Sequence, residues 1–419
     1  MTSFQAPTGT RDVLAPESAR VETLVGRFAR QAHLAGYGLI VSPMFEDVGV
    51  FRRGVGEESE VVTKEMYEFE DKGGRMLALR PEGTASVVRA FVQHRPLVPW
   101  KAWYLTPAFR YERPQAGRYR QHHQLGVEVL GTDDPDLDVE VIGLLDAYLR
   151  SVGLRAIELR VNSMGDGACL PGYRELLSAY LEAHVAELCS EHQNTWRKNP
   201  LRVLDCKRPA CLAVREGAPR LSASLCDECR AHFARVTDGL DALGIAYTRD
   251  DFLVRGLDYY VRTTFEFASS ALDAAQNAVG GGGRYDGLAE ALGGPPTPGV
   301  GFGSGVERVL LAAEAEGVDL AAPPLGVFVV DLTDGSVARD LTHLLRRAGI
   351  SADRAFEGRS LKAQMRLADR SGARLAVIIG ANELAEDRAT IRVLGGADAH
   401  HQQLVERAKL VSTILELLG

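Results

Sequence analysis

Residues 109–128 read FRYERPQAGRYRQHHQLGVE, and they place Arg110, Arg113, Arg118 and Arg120 between two apolar runs. A guanidinium stays charged and offers a planar fork of donors, so these side chains suit bidentate contact with phosphate. Pro114, Gln115, Ala116 and Gly117 break the periodicity, which predicts a loop between strands at 103–112 and 121–130. The cluster is therefore expected on a β-hairpin and its tip. On these residues alone two readings stay open: a phosphate clamp and a solvated charged turn.

Working outward, residues 17–35 repeat apolar positions at helical spacing (Val21, Leu24, Val25, Phe28, Ala32, Leu34), and Gly36 ends the pattern. A short strand at 39–41 follows and stops at Ser42-Pro43. Residues 69–79 predict a hairpin turning at 71–74, which delivers Arg80-Pro81-Glu82-Gly83-Thr84 to the mouth of the next helix. A carboxylate, a glycine and a hydroxyl there suit an amine ligand. A helix N-cap by Thr84 and a surface ion pair by Glu82 are the alternatives. Beyond the basic hairpin come an acidic turn at 133–138, an amphipathic helix at 139–152 and a strand at 156–161.

From about 165 to 247 the periodicity is mainly helical and the stretch holds all six cysteines, as an inserted subdomain would. Residues 252–267 (FLVRGLDYYVRTTFEF) are aromatic and β-branched and return to strand character. The run 279–288 (VGGGGRYDGL) carries consecutive glycines, which let backbone approach a ligand or another strand closely. Residues 298–311 alternate glycine with larger residues and then turn helical, with Arg308 in the first turns.

Pro323-Pro324 marks a boundary. After it, the order is strand 327–332, helix 336–348, a strand, helix 359–371, strand 375–379 and a final amphipathic helix from about 401. That alternation predicts a small α/β domain with a mostly parallel sheet. Arg359, Lys362, Arg366 and Arg370 share one face of helix 359–371, with Leu361, Met365 and Ala368 on the other. Such a basic stripe suits an RNA backbone, or is a solvated helix face.

The formal charge of −8 and pI near 5.8 exclude a general nucleic-acid coating protein, so any such contact must be local. No apolar run approaches the roughly 20 residues of a membrane span, and the start lacks a signal-peptide pattern. Cytoplasmic location is the expectation, and six cysteines in 419 residues fit a reducing compartment. There is no P-loop, no G-x-G-x-x-G after a strand and no G-x-S-x-G elbow. Cys206-x4-Cys211 and Cys226-x2-Cys229 approach the spacing of one tetrahedral zinc site, with Cys189, His192 and His232 as spare ligands. Buried free thiols are the alternative.

Taken together, these stretches resemble the histidyl-tRNA synthetases, members of the class II aminoacyl-tRNA synthetases. PTGTRDVL near the start resembles the family's N-terminal signature. Residues 37–46, 109–128 and 301–311 resemble the three motifs of the class. LVRGLDYY at 253–260 and GGGRYDGL at 281–288 resemble the stretches that distinguish the histidine enzymes, and 325–419 resembles an anticodon-binding domain. The resemblance implies an α+β catalytic domain on an antiparallel sheet (1–164 and 248–322), a helical insertion (165–247) and a C-terminal α/β anticodon-binding domain (325–419). It further implies a homodimer that uses ATP, Mg²⁺, L-histidine and tRNA(His).

Roles carry over by resemblance. Arg110, Arg255 and Arg308 are implied as catalytic, with Arg110 at the α-phosphate and the histidine carboxylate, Arg255 at the α-phosphate as that carboxylate attacks, both also counted with the histidine site, and Arg308 at the γ-phosphate. Glu112, Arg118 and Tyr119 are implied in ATP binding, Glu112 at the adenine amino group. Glu82, Gly83 and Thr84 would take the α-amino group of histidine, while Gln124, Glu128, Tyr259 and Tyr260 line its side-chain pocket. Arg113 and Gln115 would approach the tRNA acceptor end, and no residue of the catalytic site is assigned to a metal. Two positions depart from the family's usual pattern: His122 stands where an aromatic precedes the His-Gln pair, and Ser304 lies in the third motif.

Overall fold

The hairpin expected around residues 109–128 forms the second and third strands of a sheet. Trp100–Phe109 and Gln121–Leu130 pair antiparallel, from Trp100 opposite Leu130 to Phe109 opposite Gln121. The first strand stops before Glu112 because the chain leaves the ladder there, and Tyr111 N–H bonds to the Glu65 carbonyl instead. The computed structural model describes residues 4–57, 59, 61–273, 277–321, 323–395 and 401–419. Its chain divides into two units, Met1–Ala321 and Ala322–Gly419.

In the first unit the hairpin belongs to an eight-stranded sheet. The order is Gly38–Leu39, Trp100–Phe109, Gln121–Leu130, Gly299–Gly305, Ala278–Arg284, Val261–Ser269, Ile157–Ser163 and Thr248–Arg249. The six central strands are antiparallel to their neighbours, and only the two-residue strands at the edges pair in parallel.

Strand side chains alternate between faces, so the register decides what each face can do. Leu125, Val127, Val129, Val300, Phe302, Phe265 and Phe267 point to one face. There they join the main core with Leu24 and Phe28 of helix Glu17–Leu34, Tyr148 of helix Pro135–Val152 and Val309 of helix Val306–Ala315. Burying each such side chain is worth about 1.5–3 kcal/mol, so a one-residue slip is strongly opposed. The alternate residues, Gln124, Gly126 and Glu128, are thereby committed to the opposite face. Directly across from them lie Gly305, Gly303 and Gly301, followed by Gly281 and Gly283 and then Glu266 and Thr264. The middle of this face is a floor of glycine flanked by polar side chains.

Two expectations in this unit need correction. Residues 253–260 are not strand: the strand begins only at Val261, and the LVRGLDYY segment carries Arg255 across to Glu266 on the glycine face. The acidic turn at 133–138 is largely the first turn of helix Pro135–Val152, capped by the Asp134 carboxylate on Asp136 N–H. Proline at the first helical position has no donor to leave unpaired, and acidic residues there favour the helix dipole. A small sheet of Phe45–Asp47, Met76–Leu79 and Tyr67–Glu70 leads into helix Thr84–His94. Between Ser163 and Thr248 come helices Leu170–Ala183, Ser190–Thr195, Leu201–Asp205, Pro209–Glu216 and Asp227–Ala242. Tyr173, Leu177, Leu181, Trp196, Val203 and Leu204 form a separate apolar cluster here.

The second unit has a five-stranded sheet in the order Ala352–Arg354, Val327–Asp331, Leu375–Ile379, Arg388–Val393, Gln402–Glu406. Its first three strands are parallel, but the last two pair antiparallel, so the sheet is mixed rather than mostly parallel. The expected helix from about 401 begins only at Leu410, after the strand Gln402–Glu406 and a short helical turn. That strand alternates exposed with partly buried residues, the period of an edge strand rather than a helix. On helix Leu361–Ser371 the residues Lys362, Arg366 and Arg370 are exposed. Leu361 is also exposed, and Gln364 takes the buried side, exchanging hydrogen bonds with the Asp331 backbone.

Candidate active site

Two different surfaces meet on the glycine face. The first is a buried carboxylate pocket centred on Glu128, which is fully buried. Thr84 Oγ1 donates to its Oε1 at 2.6 Å, Tyr104 Oη donates to the same oxygen at 3.1 Å, and the Tyr285 hydroxyl donates to Oε2. Burial pushes the Glu128 carboxyl up to about 8, against the pull of these hydroxyls. The register explains its company. Ala102 opposes Glu128 and Tyr104 opposes Gly126, so Tyr104 lies on the same face, in space that a side chain at 126 would fill. Gly301 is required in the same way, since a Cβ there would run into the Glu128 carboxylate.

Glu82 and Thr84 divide their tasks differently from a simple N-cap by the threonine. Glu82 is buried, and its oxygens accept from Thr84 N–H at 2.6 Å and Ala85 N–H at 2.8 Å. It therefore caps helix Thr84–His94 while remaining a carboxylate with spare lone pairs. Burial raises its pKa, and the two backbone donors oppose that rise. Gly83 N–H donates to Gln124 Oε1 at 3.2 Å, tying the helix start to the return strand. Arg80, buried, bonds to the carbonyls of Ser42, Pro43 and Pro107 and so fixes the segment from behind.

Tyr259 and Tyr260 sit over this pocket, their rings 4.6 Å apart, and Tyr259 meets Tyr285 edge-on at 5.7 Å. The Tyr259 hydroxyl is buried beside Tyr260, with no partner that meets hydrogen-bond geometry. A buried hydroxyl in this state suits a hydrogen bond to a ligand's polar atom or to a water.

The second surface is a cleft of about 200 Å³ lined by Arg110, Glu112, Arg118, Tyr119, His122, Gln124, Arg255, Glu307 and Arg308 over Gly280, Gly281, Gly303 and Gly305. Arg110 leaves the strand end and donates through Nε to the Pro81 carbonyl at 2.9 Å. Arg118 pairs with Glu112, and Arg308 donates to the Ala278 carbonyl at 3.1 Å. Burial and then Arg118 lower the pKa of Arg308. A guanidinium does not give up its proton, so the cleft keeps a positive field that suits an anion. His122 stays neutral: burial first and Arg110 second depress it to about 3. The neighbouring His123 is bound through its N–H and ring to Glu307, at 3.0 and 2.9 Å.

Arg255 lines the cleft and also a larger cavity of about 570 Å³ on the insertion side. Its guanidinium donates to Glu266 at 3.1 Å and lies over Tyr260. A Cβ at Gly281 would come within 2.6 Å of it, so the glycine gives Arg255 its place.

Arg113 and Gln115 are exposed at the hairpin tip, which Gln115 and Arg118 close by exchanging backbone bonds of 3.1 and 2.9 Å. Arg120, counted with the basic cluster, stacks instead on Tyr111 at 3.8 Å, and its backbone N–H bonds to the Gly9 carbonyl. Ser304, the unusual residue of the third motif, is buried on the core face and bonds to Val279 O.

Sequence reading missed Tyr104, Tyr285, Glu266 and Glu307. Tyr104 and Glu266 could have been found by alternation once Gln124 and Glu128 were placed. It also missed Arg284, which is fully buried against Asp138 and bonds to the Thr132 and Asp134 carbonyls at 3.2 Å. Arg284 anchors the start of helix Pro135–Val152 and holds its neighbour Tyr285 in position under Glu128. The one-site reading of the cysteines also fails: Cys206 and Cys211 belong to one group of potential ligands, and Cys226 and Cys229 to another.

The chain is similar to known proteins over nearly its whole length. Residues 9–166 match the family model described as histidyl-tRNA synthetase, and 327–417 match that of an anticodon binding domain. A histidine–tRNA ligase of Moorella thermoacetica is 50% identical over 413 residues, 97% of this chain and 96% of its own. One from Rhodococcus erythropolis is 47% identical over all of this chain and 99% of its own. Among solved structures, apo histidyl-tRNA synthetase of S. aureus superposes with a TM-score of 0.81 at 35% identity, covering 98% of this chain and 100% of its own. The chain belongs to the histidyl-tRNA synthetase family.

Proposed function

We infer that the protein attaches L-histidine to tRNA(His) in two steps. The histidine carboxylate attacks the α-phosphorus of ATP, pyrophosphate leaves, and histidyl-adenylate forms. A ribose hydroxyl at the tRNA 3′ end then attacks the activated carbonyl and AMP leaves. The observation that carries this reading is the meeting of the arginine-lined cleft with the Glu128 pocket, in a chain similar to histidine–tRNA ligases over its full length.

In this reading Arg110 and Arg255 flank the α-phosphate and offset the charge that grows on it as the carboxylate attacks. Arg308 takes the γ-phosphate. Arg118 and Tyr119 complete the nucleotide site, and Glu112 receives the adenine amino group. Mg²⁺ enters with the nucleotide, held largely by phosphate oxygens. Glu82, Gly83 and Thr84 receive the α-amino group. Gln124, Glu128, Tyr259 and Tyr260 enclose the imidazole, with Glu128 and a tyrosine hydroxyl addressing its two nitrogens. A pocket of buried polar groups rejects apolar amino acids by about 10⁴, because its own donors and acceptors would go unpaired.

Arg113 and Gln115 approach the acceptor end of the tRNA, and the exposed Lys362, Arg366 and Arg370 of the C-terminal unit meet its backbone. The working domain limits are 1–164 and 248–322 for catalysis, 165–247 for the insertion and 325–419 for anticodon binding. A homodimer is supported by the exposed apolar Leu39, Val41, Met44 and Phe45 around the first motif. Cytoplasmic location is part of the same proposal. Among the described residues, no helix is long and apolar enough to cross a membrane.

Exchange of labelled pyrophosphate into ATP tests the reading. Exchange that requires histidine is the expected result, and none with pure protein, ATP, Mg²⁺ and histidine rejects it.

A further inference from the structure

The insertion is built largely from short helices. Ser190–Thr195, Leu201–Asp205 and Pro209–Glu216 have six, five and eight residues, below the roughly 12–15 at which an isolated helix becomes even marginal. Something beyond helix propensity must hold them, and the thiols are placed where such a brace would be.

They converge in two groups. In the first, Cys189, His192, Cys206 and Cys211 bring their ligand atoms within 4.8 Å of one another. His192 Nδ1 lies 3.3 Å from Cys189 Sγ and 3.6 Å from Cys211 Sγ. In the second, Asp166, Cys169, Cys226 and Cys229 do the same, with Asp166 Oδ1 at 3.6 Å from Cys169 Sγ. A tetrahedral zinc ion with Zn–S bonds of about 2.3 Å sets its sulfurs about 3.8 Å apart. These spacings match one such ion per group and leave no room for a four-iron cluster.

Hydrogen-bond donors surround the sulfurs in both places. Cys189 N–H points to Cys211 Sγ at 3.4 Å, Cys226 N–H to Cys169 Sγ at 3.0 Å, and Cys229 N–H to Cys226 Sγ at 3.4 Å. Each group also has its own arginine: Arg208 donates to Cys189 Sγ at 3.5 Å, and Arg262 lies 3.6 Å from Asp166. These are the outer contacts that orient ligands and offset the negative charge of a multi-thiolate metal site. Disulfides explain the pattern less well. Each group has three thiols, so one would always be left over, and neither His192 nor Asp166 would have a part.

We propose that the insertion holds two separate structural zinc ions, one bound by Cys189, His192, Cys206 and Cys211 and the other by Asp166, Cys169, Cys226 and Cys229. The first ties the short helices together. The second joins the segment just after the catalytic strand Ile157–Ser163 to the start of helix Asp227–Ala242, clasping the two ends of the insertion.

The test is metal analysis of the full chain, expressed with zinc and purified without chelator. Two equivalents of zinc per chain are expected, falling to one in Cys211→Ser, to one in Cys229→Ser and to none in the double variant. If a variant does not fold, Co²⁺ titration of the chelator-stripped wild-type chain decides. Two saturating equivalents with thiolate charge-transfer and intense tetrahedral ligand-field bands support the proposal. Saturation at one equivalent or none, or native disulfides within either group, overturns it.

Discussion

The Glu128 pocket and the arginine cleft lie on one face of one sheet, yet they are built on opposite principles. In the pocket every oxygen of Glu128 is already engaged, by Thr84, Tyr104 and Tyr285, and the group is sealed from water. In the cleft Arg110, Arg118 and Arg308 gather around one space with Glu112 as the partner of only one of them. A neutral ring can be recognised only by groups whose loss is felt when the wrong ligand enters, which requires burial and complete hydrogen bonding. A polyphosphate brings enough charge to organise its own site, so an uncompensated positive field suffices. The proposed function thus gives choice of amino acid to the pocket and driving force to the cleft.

Glu128→Gln should break this contrast most sharply. It keeps the volume but replaces one of the two acceptor oxygens that the tyrosines and Thr84 serve with an amide donor, and kcat/KM for histidine in the exchange reaction should fall on the order of 10³–10⁴-fold. The KM for ATP should stay within about threefold. A parallel loss of ATP affinity would mean that pocket and cleft are not separate. The same variant tests the electrostatics. Because the fold raises the Glu128 carboxyl to about 8, it favours the protonated form. The associated stability is complete below the ordinary carboxyl value near 4.5 and is lost as the pH rises to about 8. Chemical denaturation of the free wild-type chain should show that decline, on the order of a few kcal/mol, and Glu128→Gln should flatten it.

Arg255→Ala comes next, since Arg255 lines the cleft while its neighbours Tyr259 and Tyr260 cover the pocket. Loss of a preorganised cation at the α-phosphate should lower the adenylation rate by at least about a hundredfold. The KM for histidine should change little; a large rise in that KM with an unchanged rate would move Arg255 from the cleft to the pocket. Arg308→Ala should cost less, about tenfold to a hundredfold and mainly in ATP KM, as expected for one charge-assisted hydrogen bond to a phosphate. Equal effects on kcat alone would place Arg308 at the reacting phosphorus instead.

The two surfaces were also unequally legible. The cleft is legible mainly through the family resemblance, because the arginine cluster by itself fits a solvated turn as well as a phosphate clamp, and Arg110, Arg118, Arg255 and Arg308 do line one space. The pocket was half readable. Gln124 and Glu128 come from the family resemblance, but Tyr104 and Tyr285 reach Glu128 from distant positions whose nearness depends on register. Composition misled at residues 253–260, where aromatic and β-branched residues serve a covering loop rather than a ladder. At Gln402–Glu406 an edge strand stands where helical spacing predicts the start of the final helix. Among the cysteines, sequence proximity paired the right neighbours within each motif, but helix packing decided that the motifs stay apart.

The hairpin tip belongs to neither surface and gives the finest test of the division. Arg113 and Gln115 are exposed, and Gln115 is held by backbone bonds to Arg118 rather than through its side chain. Removing either side chain should leave the turn intact, so Arg113→Ala and Gln115→Ala should not alter pyrophosphate exchange. If the tip guides the acceptor end, each should slow aminoacylation of tRNA(His) about threefold to tenfold, the worth of a single solvent-exposed hydrogen bond. For Arg113 that deficit should widen as salt falls, because a guanidinium–phosphate attraction is strongest where counterions are few. A slower exchange reaction in either variant would show that the tip also shapes the cleft through Arg118 and Glu112, and the boundary between nucleotide and RNA would then have to be drawn further out along the hairpin.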